Sequence, residues 1–206
     1  MWQPEGICKR CDMELLARSL VGLGLWILAL MAVSQGTNFE VIGDEKTMDI
    51  YCSAEEDQGD ISFREFVDVS GLTFDVADDL ETLFYNGDIK MLMDVPQGPI
   101  TMQVDVFRWQ RSQWLPTPLS LKRDNFCQSL LSPYELWHPI LRNIPKEQLK
   151  CPPTKGHIYT LTNVSNHLFV KNMPNMDIAG DLKAVVHLSA GGHKTCAVVF
   201  VKIYAN

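Results

Sequence analysis

The 206-residue sequence has no run of basic residues: 18 Lys and Arg stand against 25 Asp and Glu, for a formal charge of −7. That balance excludes nucleic acid and anionic membrane surfaces as main partners, because both are recognised through clustered cations. Also missing are a GxSxG elbow, an HExxH pair, a phosphate-binding glycine loop and a glycine-rich dinucleotide turn after a strand. A hydrolase would have to gather Ser, His and an acid from separate strands, so the expectation is a protein that is not an enzyme and carries no cofactor. His138, His157, His167, His187 and His193 are scattered, which offers no metal site. The acidic run Glu55-Glu56-Asp57-Gln58-Gly59-Asp60 lacks the twelve-residue ligand spacing and closing glutamate of a calcium loop. The longest apolar run, Leu20 to Val33, has 14 residues, fewer than the about 20 a spanning helix needs.

What that short run does fit is an export signal. Lys9, Arg10 and Arg18 precede it and Ala32-Val33-Ser34 follows, which gives a basic start, an apolar centre and small residues before a cut. Residues 1–34 are therefore read as a signal peptide, with Met13 as an alternative start, and residues 35–206 as one secreted domain with no stable membrane anchor. The single CxxC, Cys8-Lys9-Arg10-Cys11, falls in the discarded segment and receives no function. Four cysteines remain, Cys52, Cys127, Cys151 and Cys196. An even number in an exported chain implies two disulfides, with three connectivities open. Zinc is disfavoured because these four include no CxxC pair.

The body is written mostly in period two. Ile89, Met91, Met93 and Val95 alternate with Lys90, Leu92 and Asp94; Pro96-Gln97-Gly98-Pro99 turns; Ile100, Met102, Val104 and Val106 alternate again. This predicts a hairpin with one apolar face. Ile61, Phe63, Val67 and Val69 predict another strand, as do Met48, Ile50 and Cys52 and the segments 157–163 and 182–188. Thr195 to Tyr204 is apolar on both sides and should be covered on both faces. Seven or eight strands with short turns make an antiparallel, all-β sandwich. One region departs from the rhythm: Ser132-Pro133-Tyr134-Glu135 offers a capping box, and Leu136, Trp137, Ile140, Leu141 and Ile144 share a helical face. Pro139 and Pro145 limit that helix. Asn163-Val164-Ser165 is a glycosylation sequon.

The chain also resembles a known family. F-C-x-x-L at Phe126 to Leu130, L-K-C-P at Leu149 to Pro152, G-x-I-Y-x-L-x-N at Gly156 to Asn163 and Met173-Pro174 resemble the insect CheA and CheB chemosensory proteins. These are in turn similar to the ML and ganglioside-activator lipid-recognition proteins. The resemblance implies an immunoglobulin-like sandwich opened into a cup, with Cys52 paired to Cys196 and Cys127 to Cys151. It implies binding of lipids or lipid-like pheromones in gustatory or contact chemosensation, beside a chemosensory receptor or sodium channel. Two features depart from the pattern: the additional cysteines of ganglioside activators are absent, and Asn175 stands where a glycine-containing turn belongs.

Methionine is flexible and suits surfaces that accommodate varied apolar shapes. Met91, Met93, Met102 and Val104 are therefore the expected cavity wall, with Trp137 beside it, for a hydrophobic small molecule or lipid. The rival is an extracellular protein with a solid core that modulates a receptor or channel. The two differ in one physical respect: the rival has no connected apolar cavity larger than a few hundred Å³.

Overall fold

β-Branched and aromatic residues at alternating positions build nine strands in the computed structural model, which describes residues 36–44, 51–54, 56, 59–173 and 177–205. The expected signal segment, the strand expected through Met48 and Ile50, and Asn175 lie outside these residues. In chain order the elements are β1 (Thr37–Gly43), α1 (Phe63–Phe66), β2 (Val67–Val76), β3 (Leu83–Met91), β4 (Thr101–Gln110) and β5 (Gln113–Arg123). Then come α2 (Phe126–Ser129), α3 (His138–Leu141), a 3₁₀ turn (Lys146–Gln148), β6 (Ile158–Ser165), β7 (His167–Met173), β8 (Gly180–Ala190) and β9 (His193–Ala205).

The strands form two antiparallel sheets, one six-stranded in the order β5-β4-β8-β9-β1-β7 and one three-stranded in the order β2-β3-β6. β9 sits in the middle of the large sheet, which explains why its sequence is apolar on both sides. Leu188 and Thr195 pair in register on one face, and Cys196, Val185 and Val198 form a buried cluster with Cys52 on the other. The β8–β9 turn is Gly191-Gly192, with φ of 58° and 90°. Two consecutive left-handed residues make the two-residue connection whose twist matches the strands it joins.

The expected hairpin around Pro96 does not form. β3 ends at Met91 and pairs with β2 and β6, whereas β4 pairs with β5 and β8 in the other sheet. Residues 92–100 instead carry the chain across the sandwich. Pro96 and Pro99 have no N–H to give a ladder, and Val95 donates to the Pro153 carbonyl at 3.2 Å rather than to a hairpin partner. Residues 63–66, expected as strand, form the helical turn α1 before β2 begins. A second crossing is pinned by Asn166, between β6 and β7. Its side-chain oxygen accepts from the Leu83 N–H at 2.8 Å, and its amide donates to the Gly43 carbonyl at 2.9 Å, so one buried side chain ties the two sheets.

Residues 124–153 leave β5 and return before β6 as a flap of short turns. The short helix expected from Ser132 is reduced further, to α3. Glu135 does not close a capping box, because Arg123 takes both its carboxylate oxygens at 2.7 and 2.9 Å. With the box lost, the helix starts only at His138, with Pro139 in its first turn.

Candidate functional site: an apolar cavity under a stapled flap

Beneath the flap the two sheets do not close. A cavity of about 450 Å³ lies between the three-stranded sheet, the β8–β9 turn and the flap. Its first wall is the inner face of the small sheet, where Ile89, Met91, Tyr159 and Leu161 share one side by register. The flap supplies Phe126, Leu130, Ile140, Leu141 and Ile144. A strap through Ile61, Phe63 and Phe66 forms the third wall, and Leu188 and Ala190 of β8 the fourth. The lining residues that are exposed to solvent, Asp94, Pro96, His193 and Lys194, all sit at the β8–β9 turn end, so the mouth is there.

The flap is held at several points. Cys127 is bonded to Cys151, with Cα atoms 5.3 Å apart, and Cys151 itself lines the cavity. The Phe126 N–H donates to the Ile100 carbonyl at 2.7 Å, and Asn125 caps α2. On the returning side, the Gln148 side chain accepts from the Thr160 N–H at 2.7 Å, so the 3₁₀ turn is fastened to β6. The Tyr159 hydroxyl donates to the Lys150 carbonyl at 2.6 Å, and burial pushes its pKa up to about 12, which keeps it a neutral donor. The strap is tied down by Asp60. One carboxylate oxygen accepts the Lys194 N–H at 2.6 Å and the other lies 2.7 Å from His193 Nδ1. These bonds, the backbone one first, hold Asp60 below the usual carboxylate range.

Of the residues expected to line a cavity, the structure brings together Met91 and Met93. Met102 and Val104 do not line it. They follow from the misjudged hairpin: β4 belongs to the opposite sheet, where Met102 is 5% exposed beside Leu188, and Val104 lies further along toward the strand middle. Trp137 does not line it either. It stands behind the wall, its indole N–H on the Leu130 carbonyl at 3.2 Å and its ring edge-on to Phe126 at 5.2 Å. Leu136, expected on the inward helical face, is exposed together with Leu131 and Tyr134 on the outer side of the flap. The flap and strap residues were missed, although the helical spacing of Phe126 with Leu130 and of Ile140 with Ile144 was a signal for them.

Cys52 is bonded to Cys196 on the far face of the large sheet, away from the cavity. Asn163 is exposed on β6, an edge strand, and its N–H donates to Asn86 Oδ1 at 2.8 Å. Among the described residues, no cluster of three or more His, Cys, Asp or Glu could hold a metal ion, and no helix is long and apolar enough to cross a membrane.

No protein-family model matches the chain, and no curated protein matches it. Among solved structures the chain is similar to a Niemann-Pick type C2 protein from the Japanese carpenter ant. The two share 15% identity at a TM-score of 0.32, over 70% of this chain and 96% of that one.

Proposed function

We propose that the protein is an exported carrier that encloses a lipid or lipid-like hydrophobic molecule between its two sheets, without catalysis. The cavity carries this reading. A space of about 450 Å³ lies within the range of small-molecule sites and is lined almost wholly by hydrocarbon. Each CH₂ transferred there from water contributes about 0.8 kcal/mol. A solid-core interaction protein would have no need of such a space, so the cavity favours the carrier over that rival. The motif resemblance adds the setting, in which the carried molecule is a pheromone or tastant and the protein works outside the cell beside a chemosensory receptor or sodium channel. Export and use of Asn163 belong to the same reading. N-terminal sequencing of secreted protein should begin near residue 35, and glycosidase treatment should increase its gel mobility.

The deciding experiment uses delipidated secreted protein and a fluorescent long-chain probe. Saturable uptake, reversed by fatty acids or long-chain hydrocarbons, is the expected result. A folded sample that takes up none of them would sink the proposal.

A further inference from the structure

A second space opens on the other face of the large sheet. It measures about 290 Å³ and is lined by polar side chains of three neighbouring strands: Thr101, Gln103 and Asp105 of β4, His187 and Ser189 of β8, and Lys194 of β9. Register brings them together. Thr101 pairs with Ser189, Ser189 with Lys194, and Gln103 with His187, which in turn pairs with Cys196 of the Cys52 bond. Paired residues share a face, so this cleft lies on the Cys52 side of the sheet, opposite the apolar cavity.

The two spaces meet at the end of the sheet. Leu188, Ser189, Lys194 and Thr195 line both, and the exposed Lys194 stands at the mouth of the apolar cavity as well as in the polar cleft. A molecule whose tail fills the cavity therefore brings its head out beside the cleft. The cleft has hydrogen-bonding capacity to offer it. Gln103 gives its amide to Asp105, at 3.0 and 3.3 Å, which leaves its carbonyl oxygen to accept. The side chains of Thr101, His187, Ser189 and Lys194, all at least partly exposed, bond to no described residue. Charge is mixed in the same way: Lys194 and the His193 bound to Asp60 stand against Asp105, Asp60 and Asp94.

We infer that this cleft is the head-group subsite of the carrier, and that the ligand is an amphiphile with an alkyl tail and a compact, uncharged head bearing several hydroxyls, as in a glycerol ether or ester. This deepens the carrier reading and rests on it. Hydroxyls donate and accept, so they match a set of side chains that offers both. An ionised carboxylate only accepts; it suits Lys194 but meets a like charge at Asp105 and Asp60. A quaternary ammonium makes no hydrogen bonds and meets a like charge at Lys194. A plain hydrocarbon leaves the cleft unused.

The test is displacement of a fluorescent alkyl probe from the full secreted chain by competitors with one tail and different heads: dodecane, dodecanol, dodecanoate and 1-O-dodecylglycerol. Dodecylglycerol should bind about tenfold tighter than dodecanol, the gain expected from one or two further hydrogen bonds. Thr101 and His187 line the cleft but not the apolar cavity. Thr101→Val and His187→Leu should therefore each lower that preference about threefold to fivefold, with dodecanol changed less than about twofold. His187→Gln, which keeps a donor and an acceptor, should retain the preference, and dodecanol binding verifies in the same assay that each variant is folded. Equal affinity of the unaltered protein for dodecylglycerol and dodecanol would overturn the subsite while leaving the carrier reading in place. So would a preference that survives both Thr101→Val and His187→Leu. Tightest binding of dodecanoate by the unaltered protein would overturn the uncharged head. Failure of the unaltered protein to take up even the probe would overturn the carrier reading itself.

Discussion

β8 and β9 run the length of the large sheet, and their two ends have different interiors. At one end Leu182 pairs with Val201, and Phe39, Ile178, Leu182 and Ile203 close into a cluster in which Phe39 and Leu182 are each 2% exposed. At the other, Leu188 pairs with Thr195 and faces the cavity. Six residues of strand, roughly 20 Å, separate a filled core from a hollow one. The difference is in what covers each end. Close-packed strands and the Ile178 segment cover the filled end, whereas the hollow end is roofed by a flap and a strap, irregular segments joined by point fastenings. Strands bring side chains into register along their whole length. A flap is only as closed as its fastenings make it.

The largest expected effects come from the two disulfides, and they should differ in kind. Cys52–Cys196 closes a loop of 144 residues and Cys127–Cys151 one of 24, so loop-closure entropy gives up to about 5 and 3.5 kcal/mol respectively. Replacing Cys52 and Cys196 with serine should therefore lower stability to urea more. Replacing Cys127 and Cys151 should lower it less but shorten retention of a bound probe, because that bond lies in the cavity wall. Equal retention in the two double variants would reduce the flap bond to plain bracing.

Next in size is Leu182→Ala at the filled end. It opens a new void in a packed cluster and should cost about 3 kcal/mol, with probe retention unchanged. Ile140→Ala at the hollow end enlarges a space that already exists and removes a side chain that is only partly buried, so it should cost about 1 kcal/mol. Urea unfolding of both variants checks the contrast, which equal losses would erase.

The filled end was more legible in the sequence than the hollow one, for a physical reason. Period-two alternation announced β8, and apolar residues on both sides of Thr195 to Tyr204 announced β9 as a central strand, because a strand's environment is written in its own residues. Met91, the last residue of β3, was placed on an inner face by the same alternation, whereas Met93 lines the cavity from the 92–100 crossing, beyond the strand end. Met102 and Val104 were assigned to their neighbour's sheet because alternation identifies a face without saying which sheet owns it. That is decided by Pro96, Pro99 and the 92–100 crossing. Glu135 shows the matching difficulty in the flap: a capping box is a local pattern, and Arg123, 12 residues away, outcompetes it.

Filling the hollow end separates stability from function. Met91→Trp places a larger side chain where there is room for it, so the overpacking cost should stay under about 1 kcal/mol. Probe uptake should be lost. A variant that unfolds, or that binds as well as the original, would mean the space is not the binding site.

The smallest effect concerns the strap. Asp60 is about half exposed, and its hydrogen bonds from the Lys194 N–H and His193 hold its pKa below the ordinary 3.8. A folded value lower than the unfolded one means that its contribution is complete above the unfolded value and is lost as the pH falls through the folded one. Probe release governed by Asp60 should therefore be constant from neutral pH down to about 4 and accelerate below that. Asp60→Asn should release faster at neutral pH and lose the acid step. Asp94 is the other carboxylate at the mouth, but it fastens Lys155 rather than the strap, so Asp94→Asn should keep the acid step. If Asp60→Asn accelerates in acid as the unaltered protein does, the strap is not what closes the hollow end, and the flap alone must account for retention.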